Sequence, residues 1–252
     1  MILTNEQILG LHRHIGYGPI DKAHFIFFGN EPGINISKGI ENSIHSLMEK
    51  YKTRKLLTIG QGFSVLEIDD PPVSSTFLQF ISRFMLALRY KDDRFFESLS
   101  KEGISFLNNY IINELNRTET ALINLRPFPQ STERNWHYSN VVEQEYQKLF
   151  NFTLISSHDN IYKTIRLSIM NKAFEMVKNS FIIGIGDKDN KRTFLNLMYP
   201  EIKFSEILLD GNLKIYFSKK PNIILSNYWD TRNIGLSGLK QIYNFINSLS
   251  FL

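Results

Sequence analysis

Four short apolar runs constrain this chain more than any other feature: residues 25–28 (Phe-Ile-Phe-Phe), 121–125 (Ala-Leu-Ile-Asn-Leu), 181–185 (Phe-Ile-Ile-Gly-Ile) and 223–225 (Ile-Ile-Leu). Each is too short for a helix, is bounded by polar or turn-forming residues, and is apolar at consecutive positions. Strands covered on both faces read this way, and such strands belong to parallel sheets. Helical patterns lie between them. Phe77, Phe80, Ile81, Phe84 and Leu88 share one face, as do Ile104, Leu107, Ile111 and Leu115. Near the end, Ser237 is a candidate cap for a stripe of Leu239, Ile242, Tyr243, Ile246 and Leu249.

Strand and helix alternating four times predict an α/β fold, a three-layer α/β/α sandwich around a central, mainly four-stranded parallel sheet. A hairpin interrupts it, with Ile207-Leu208-Leu209 and Leu213-Lys214-Ile215-Tyr216 flanking Asp210-Gly211. The stretch 50–73 reads as irregular. No repeat, low-complexity tract or flexible linker stands out, so residues 1–252 are read as a single domain. Ligands are expected outside the carboxyl ends of the strands.

Composition narrows the chemistry. The chain has no cysteine, which excludes disulfides, thiol catalysis and thiolate-bound zinc or iron–sulfur clusters. No apolar run approaches a membrane span, and Met1-Ile2-Leu3-Thr4 carries no basic leader, so a soluble, cytoplasmic protein is expected. The six histidines show no metal spacing beyond His12 and His14, which point apart on a helix. Neither metal nor cofactor is expected. A net charge of +4 is compatible with a polyanionic partner and equally with background lysine content.

The strand ends carry the chemistry-bearing residues. The first run leads into Gly29-Asn30-Glu31-Pro32-Gly33, where two glycines allow a tight turn and Pro32 stiffens it, presenting Glu31 at the sheet's mouth. As punctuation alone it is an ordinary connecting turn. The second run contains Asn124, an amide that either bonds a neighbouring loop or reads the edge of a planar base. The third ends in Gly184-Ile185-Gly186-Asp187 with Lys188, Lys191 and Arg192 at a helix start, which suits phosphate or a solvated first turn. The fourth ends in Ser226-Asn227-Tyr228-Trp229-Asp230-Thr231-Arg232-Asn233, a polar and aromatic loop that reads as functional.

Taken in this order, the residues resemble the uracil-DNA glycosylase superfamily. Gly29-Asn30-Glu31-Pro32-Gly33 is similar to the family's first motif, seen elsewhere as Gly-Gln-Asp-Pro-Tyr, Gly-Glu-Ala-Pro-Gly or Gly-Met-Asn-Pro-Gly. Ala121-Leu122-Ile123-Asn124-Leu125 is similar to its second strand, and Phe63-Ser64-Val65 to a base-stacking Phe-Ser-Val. The segments 181–192 and 222–236 stand where the third unit and the final His-Pro-Ser loop would be, so the resemblance runs from residue 24 to the C-terminus. Two departures matter. No histidine follows His158, so Asn227 or Tyr228 stands nearest the family's late histidine. Gly33 replaces the bulky tyrosine of the strict uracil enzymes, leaving room at the pyrimidine C5 edge or merely serving the backbone. The open pocket matches the antiviral branch, which removes hypermodified pyrimidines from phage DNA.

The resemblance implies hydrolysis of an N-glycosidic bond on a flipped-out nucleotide, with an abasic site as product. Glu31, in its loop with Asn30, would orient water and oppose the cationic sugar. Asn124 would read the base edge and Phe63 stack on its face, with Gly29, Pro32 and Gly33 shaping the pocket. Tyr228 or Asn227 would donate to the departing base. Arg126, Lys191, Arg192 and Arg232 would hold phosphates, and Trp229 or Ile234 would wedge into the duplex. No lysine is expected at the mouth as an amine nucleophile. The expected partner is DNA, bound by a monomer. Three rivals remain: a repair enzyme for uracil, a non-catalytic nucleic-acid binder on the same fold, and a nucleoside hydrolase using Glu31.

Overall fold

The four apolar runs form four adjacent strands. The computed structural model describes residues 2–29, 39, 42, 45–46, 64–66, 71–115, 117, 119–125, 138, 161–177 and 179–249. Its strands are β1 (His14–Tyr17), β2 (Phe25–Gly29), β3 (Ser64–Leu66), β4 (Thr120–Asn124), β5 (Phe181–Ile185), β6 (Ser205–Leu208), β7 (Lys214–Lys219) and β8 (Asn222–Ser226). The helices are α1 (Asn5–Arg13), α2 (Thr76–Tyr90), α3 (Lys101–Asn113), α4 (Ile161–Met176), α5 (Lys188–Met198) and α6 (Gly235–Ser248).

The strands make one sheet in the order β3-β1-β4-β2-β5-β8-β7-β6. β4, β2, β5 and β8 are parallel, as their unbroken apolar runs predict. The sheet is larger and more mixed than four parallel strands. β1 lies antiparallel to β4 and carries β3 on its outer side, while β7 and β6 extend the other edge antiparallel. The β6–β7 hairpin turns through a single 3-10 turn at Asp210–Asn212.

Alternation along the parallel strands builds two cores. Ile26, Phe28, Ile182, Ile223 and Leu225 face one side, under Leu11 of α1, Met170 and Phe174 of α4, and Phe194 and Leu195 of α5. Phe25, Phe27, Ile183, Ile185 and Ile224 face the other, under α2, α3 and α6. Helices thus cover both faces, which is why these strands have no polar side. Phe84 of α2 is fully buried, with its ring edge-on to Phe25 at 6.3 Å and to Phe27 at 6.2 Å. Such aromatic pairs add about 1 kcal/mol each beyond the apolar area they bury.

Local sequence sets most of the helix boundaries. Ser75 accepts from the Leu78 amide to start α2, and Ser100 accepts from the Gly103 amide to start α3. Arg89 near the end of α2 bridges Glu114 at 2.5 Å and Glu119 at 3.2 Å, tying that helix to the entry of β4. Ser237 does not cap α6. The helix begins two residues earlier, at Gly235, whose amide donates to the Asp230 carbonyl at 2.9 Å. Among the described residues no helix is long and apolar enough to cross a membrane.

Candidate functional site

Topology singles out one end of the sheet. β2 and β5 are neighbours, yet α2 and α3, which follow β2 in the chain, cover one face, while α5, which follows β5, covers the other. A crevice forms where successive connections part in this way, at the carboxyl ends of the strands. Gly29, Asn124, Gly186 and the loop after Ser226 all lie at this end.

Gly29 and Asn124 are register partners, and the Leu125 amide donates to the Gly29 carbonyl at 3.0 Å. A Cβ on Gly29 would come to 3.7 Å from Asn124 Oδ1, an ordinary contact that shows how closely the two strand ends approach. Asn124 is half-buried at the last position of its strand.

The end of β5 departs from expectation. Lys191 does not reach out toward a phosphate: it is fully buried, and its ammonium donates to the Gly186 carbonyl at 3.0 Å and lies 5.7 Å from the centroid of the Phe28 ring. A lysine therefore does stand at this mouth, beneath its surface rather than on it. Two glycines make its seat. A Cβ on Gly184 would meet Phe28 and Leu225 at 2.6 Å and the Lys191 stem at 3.0 Å, while Gly186 takes φ +81°. Asp187 caps α5 by accepting from the Asn190 amide at 3.1 Å. Arg192 lies along the flank instead, its guanidinium 4.4 Å from the Tyr216 ring centroid and 3.3 Å from Asp189. The basic turn is thus divided between the interior and the β7 side.

The loop after β8 is divided too. Trp229 is fully buried, with its ring 5.6 Å from Phe27 and 5.1 Å from Phe84, and its indole N–H donates to Ser226 Oγ at 2.7 Å. It is a core residue, not a wedge for a duplex. Its neighbour Tyr228 turns outward, 46% exposed, and lies nearly parallel to Phe77 at 5.7 Å. Tyr228 Cδ2 is 3.4 Å from where a Gly186 Cβ would be, so the ring closes over the end of β5. Burial of the phenol and the nearby charge of Asp230 raise its pKa, keeping the hydroxyl a donor across the physiological range.

Asp230 fixes the rest of the loop. Its Oδ1 accepts from the Arg232 amide at 2.9 Å, the Asn233 amide at 2.7 Å and the Asn233 side chain at 2.8 Å. Burial opposes its charge, but these bonds, led by that from the Asn233 backbone, hold the carboxyl below its ordinary range. Arg232 is exposed; Asn227 and Ile234 are half-buried. Phe77 is the site residue that sequence reasoning missed. The helical stripe assigns it to the core, but it sits in the first turn of α2, where the stripe meets the carboxyl end of the sheet. Asn30, Glu31, Pro32, Gly33, Phe63 and Arg126 lie outside the described residues.

The chain matches no protein-family model, no curated protein and no solved structure.

Proposed function

We propose that this protein is a DNA N-glycosylase that flips out a modified pyrimidine and hydrolyses its glycosidic bond, leaving an abasic site. One observation carries the proposal: Asn124, the single amide in an apolar central strand, ends that strand beside Gly29, the residue that opens the Gly-Asn-Glu-Pro-Gly loop. Gly29, the first residue of one segment that resembles a motif of the uracil-DNA glycosylase superfamily, thus stands beside Asn124 of a second, at the end of the sheet where such folds bind ligands. The four parallel strands, with helices on both faces, support the corresponding three-layer sandwich.

In this reading Glu31 orients the attacking water and opposes the oxocarbenium-like sugar, while Asn124 hydrogen-bonds the edge of the base. Phe63 stacks on the base, and Gly33 leaves its C5 edge open to bulky substituents of the kind carried by phage DNA. Asn227 or Tyr228 donates to the base oxygen on which negative charge accumulates. Phosphate contacts fall to Arg126 and Arg232, since Lys191 and Arg192 are engaged within the protein. Antiviral defence by a cytoplasmic monomer is the corresponding role.

The test is incubation with duplexes containing uracil or glucosylated hydroxymethylcytosine, followed by alkali to cleave abasic sites. Strand breaks with the modified-cytosine duplex that fall by two to three decades in Glu31→Gln are expected, the scale of one electrostatic group. Breaks with uracil alone would make it a repair enzyme. Binding without breaks on any substrate would favour a non-catalytic binder, the reading that the lack of histidine after His158 supports.

A further inference from the structure

The Tyr228-Trp229 pair divides its labour: the tryptophan anchors the loop and the tyrosine is what the anchor holds up. Trp229 is locked in the core on one side of Tyr228, and Ser226 on the other side accepts the indole N–H and donates to the Asn227 carbonyl at 2.9 Å. Beyond Trp229, the three bonds to Asp230 stiffen the chain. Phe77 backs one face of the tyrosine ring in a nearly parallel stack, 18° between the planes, and Gly186 abuts its edge. An exposed aromatic ring with so little freedom to turn is costly to leave in water and pre-paid for stacking.

We propose that Tyr228, backed by Phe77, is a stacking platform for an unpaired nucleobase at the rim of the crevice, namely the base next to the one that is flipped. This rests on the glycosylase reading. Extruding one nucleotide strips its neighbour of a stacking partner, and a fixed aromatic plane replaces it whatever the neighbour's identity. Tyr228 is carried on the loop of β8, but its ring reaches over Gly186 at the end of β5, which borders the β2–β5 switch point, so it stands at the rim, where a base neighbouring the flipped one would lie. Arg232, exposed four residues on, suits the accompanying phosphate. Phe77 is a positioning residue that sets the tilt of the platform. With the ring of Tyr228 so used, Asn227 is left as the donor to the departing base.

The probe is a single-stranded oligonucleotide with 2-aminopurine beside an abasic-site analogue, whose emission is quenched when the fluorophore stacks on an aromatic ring. Wild type and Tyr228→Phe are expected to quench equally and to bind with equal affinity. Tyr228→Leu should lose the quench and bind roughly tenfold more weakly. Phe77→Leu should fall between, with Phe77→Tyr restoring it. Circular dichroism checks that each variant is folded. An unchanged quench in Tyr228→Leu, or a loss in Tyr228→Phe equal to that in Tyr228→Leu, would overturn the platform. The alkali assay on the same proteins separates the two ideas. Quenching without excision refutes the glycosylase and leaves the platform standing, whereas excision with a quench indifferent to residue 228 does the reverse.

Discussion

Changing Trp229 to Phe tests the buried arrangement of the β8 loop against the exposed wedge that the sequence invites. The phenyl ring keeps the contacts with Phe27 and Phe84 but loses the indole N–H, which donates to Ser226 Oγ at 2.7 Å. Losing that hydrogen bond costs about 1 kcal/mol. The smaller ring leaves a cavity of roughly 40 Å³, worth about 1 kcal/mol more. For a chain of this size a destabilisation of about 2 kcal/mol lowers Tm by roughly 4–8 °C. Thermal unfolding followed by far-UV circular dichroism reads this directly. A double-mutant cycle with Ser226→Ala should recover about 1 kcal/mol of coupling, because the two side chains share one bond. A variant with unaltered Tm and weakened DNA binding would refute the reasoning and return Trp229 to the surface.

Gly184→Ala should destabilise by about 1–3 kcal/mol in urea unfolding, because the added carbon meets Phe28 and Leu225 at 2.6 Å in a packed interior; a neutral change would mean that the Lys191 seat is loose. Asn124→Asp replaces a donor with an acceptor at the sheet's mouth, so competition between base-modified duplexes should show altered preference, whereas a change in stability alone would make it a core amide. Alkaline stability follows from the tyrosines: burial pushes Tyr199 up to about 12 and raises Tyr110, Tyr138 and Tyr228 as well. The folded state then holds protons that the unfolded chain releases, so this contribution is complete below the ordinary tyrosine value of about 10 and is lost as pH rises toward 12. Urea midpoints flat from pH 10 to 12 would contradict it.

The parallel centre of the sheet was legible because burial on both faces leaves a mark in the chain: 181–185 and 25–28 are apolar without alternation, and each became a strand within a residue of its run. The hairpin was legible from Asp210-Gly211. Strand β1 was not. It lies between β3 and β4, with Gly16 opposite Val65 on one side and Ile123 on the other, and nothing in His-Ile-Gly-Tyr carries a period. At the carboxyl end of the sheet, sequence located the turns after β5 and β8 but not the directions of the side chains within them. Tyr228 and Trp229 are adjacent in an irregular loop, where no periodicity decides which faces inward; Ser226, three residues back, supplied the acceptor that drew the tryptophan in. Lys191 misled for a related reason. A lysine in a helix's first turn is ordinarily solvated, and its burial depends on room left by Gly184, on a different element.

That room sets an order of inheritance among three positions. Gly184 admits the stem of Lys191, and Gly186, in a conformation that side chains resist, turns its carbonyl to receive the ammonium. The dependence runs one way. Phe28 and Leu225, at 2.6 Å from where its Cβ would be, hold Gly184 to glycine whatever stands at 191, and the positive φ does the same for Gly186. Drift should therefore be ordered: descendants of this chain can lose Lys191 while both glycines stay, whereas those that keep the lysine inside keep both glycines. The Gly-Ile-Gly-Asp turn is then a lock for a cation carried on its own helix, and its glycines are explained without any phosphate.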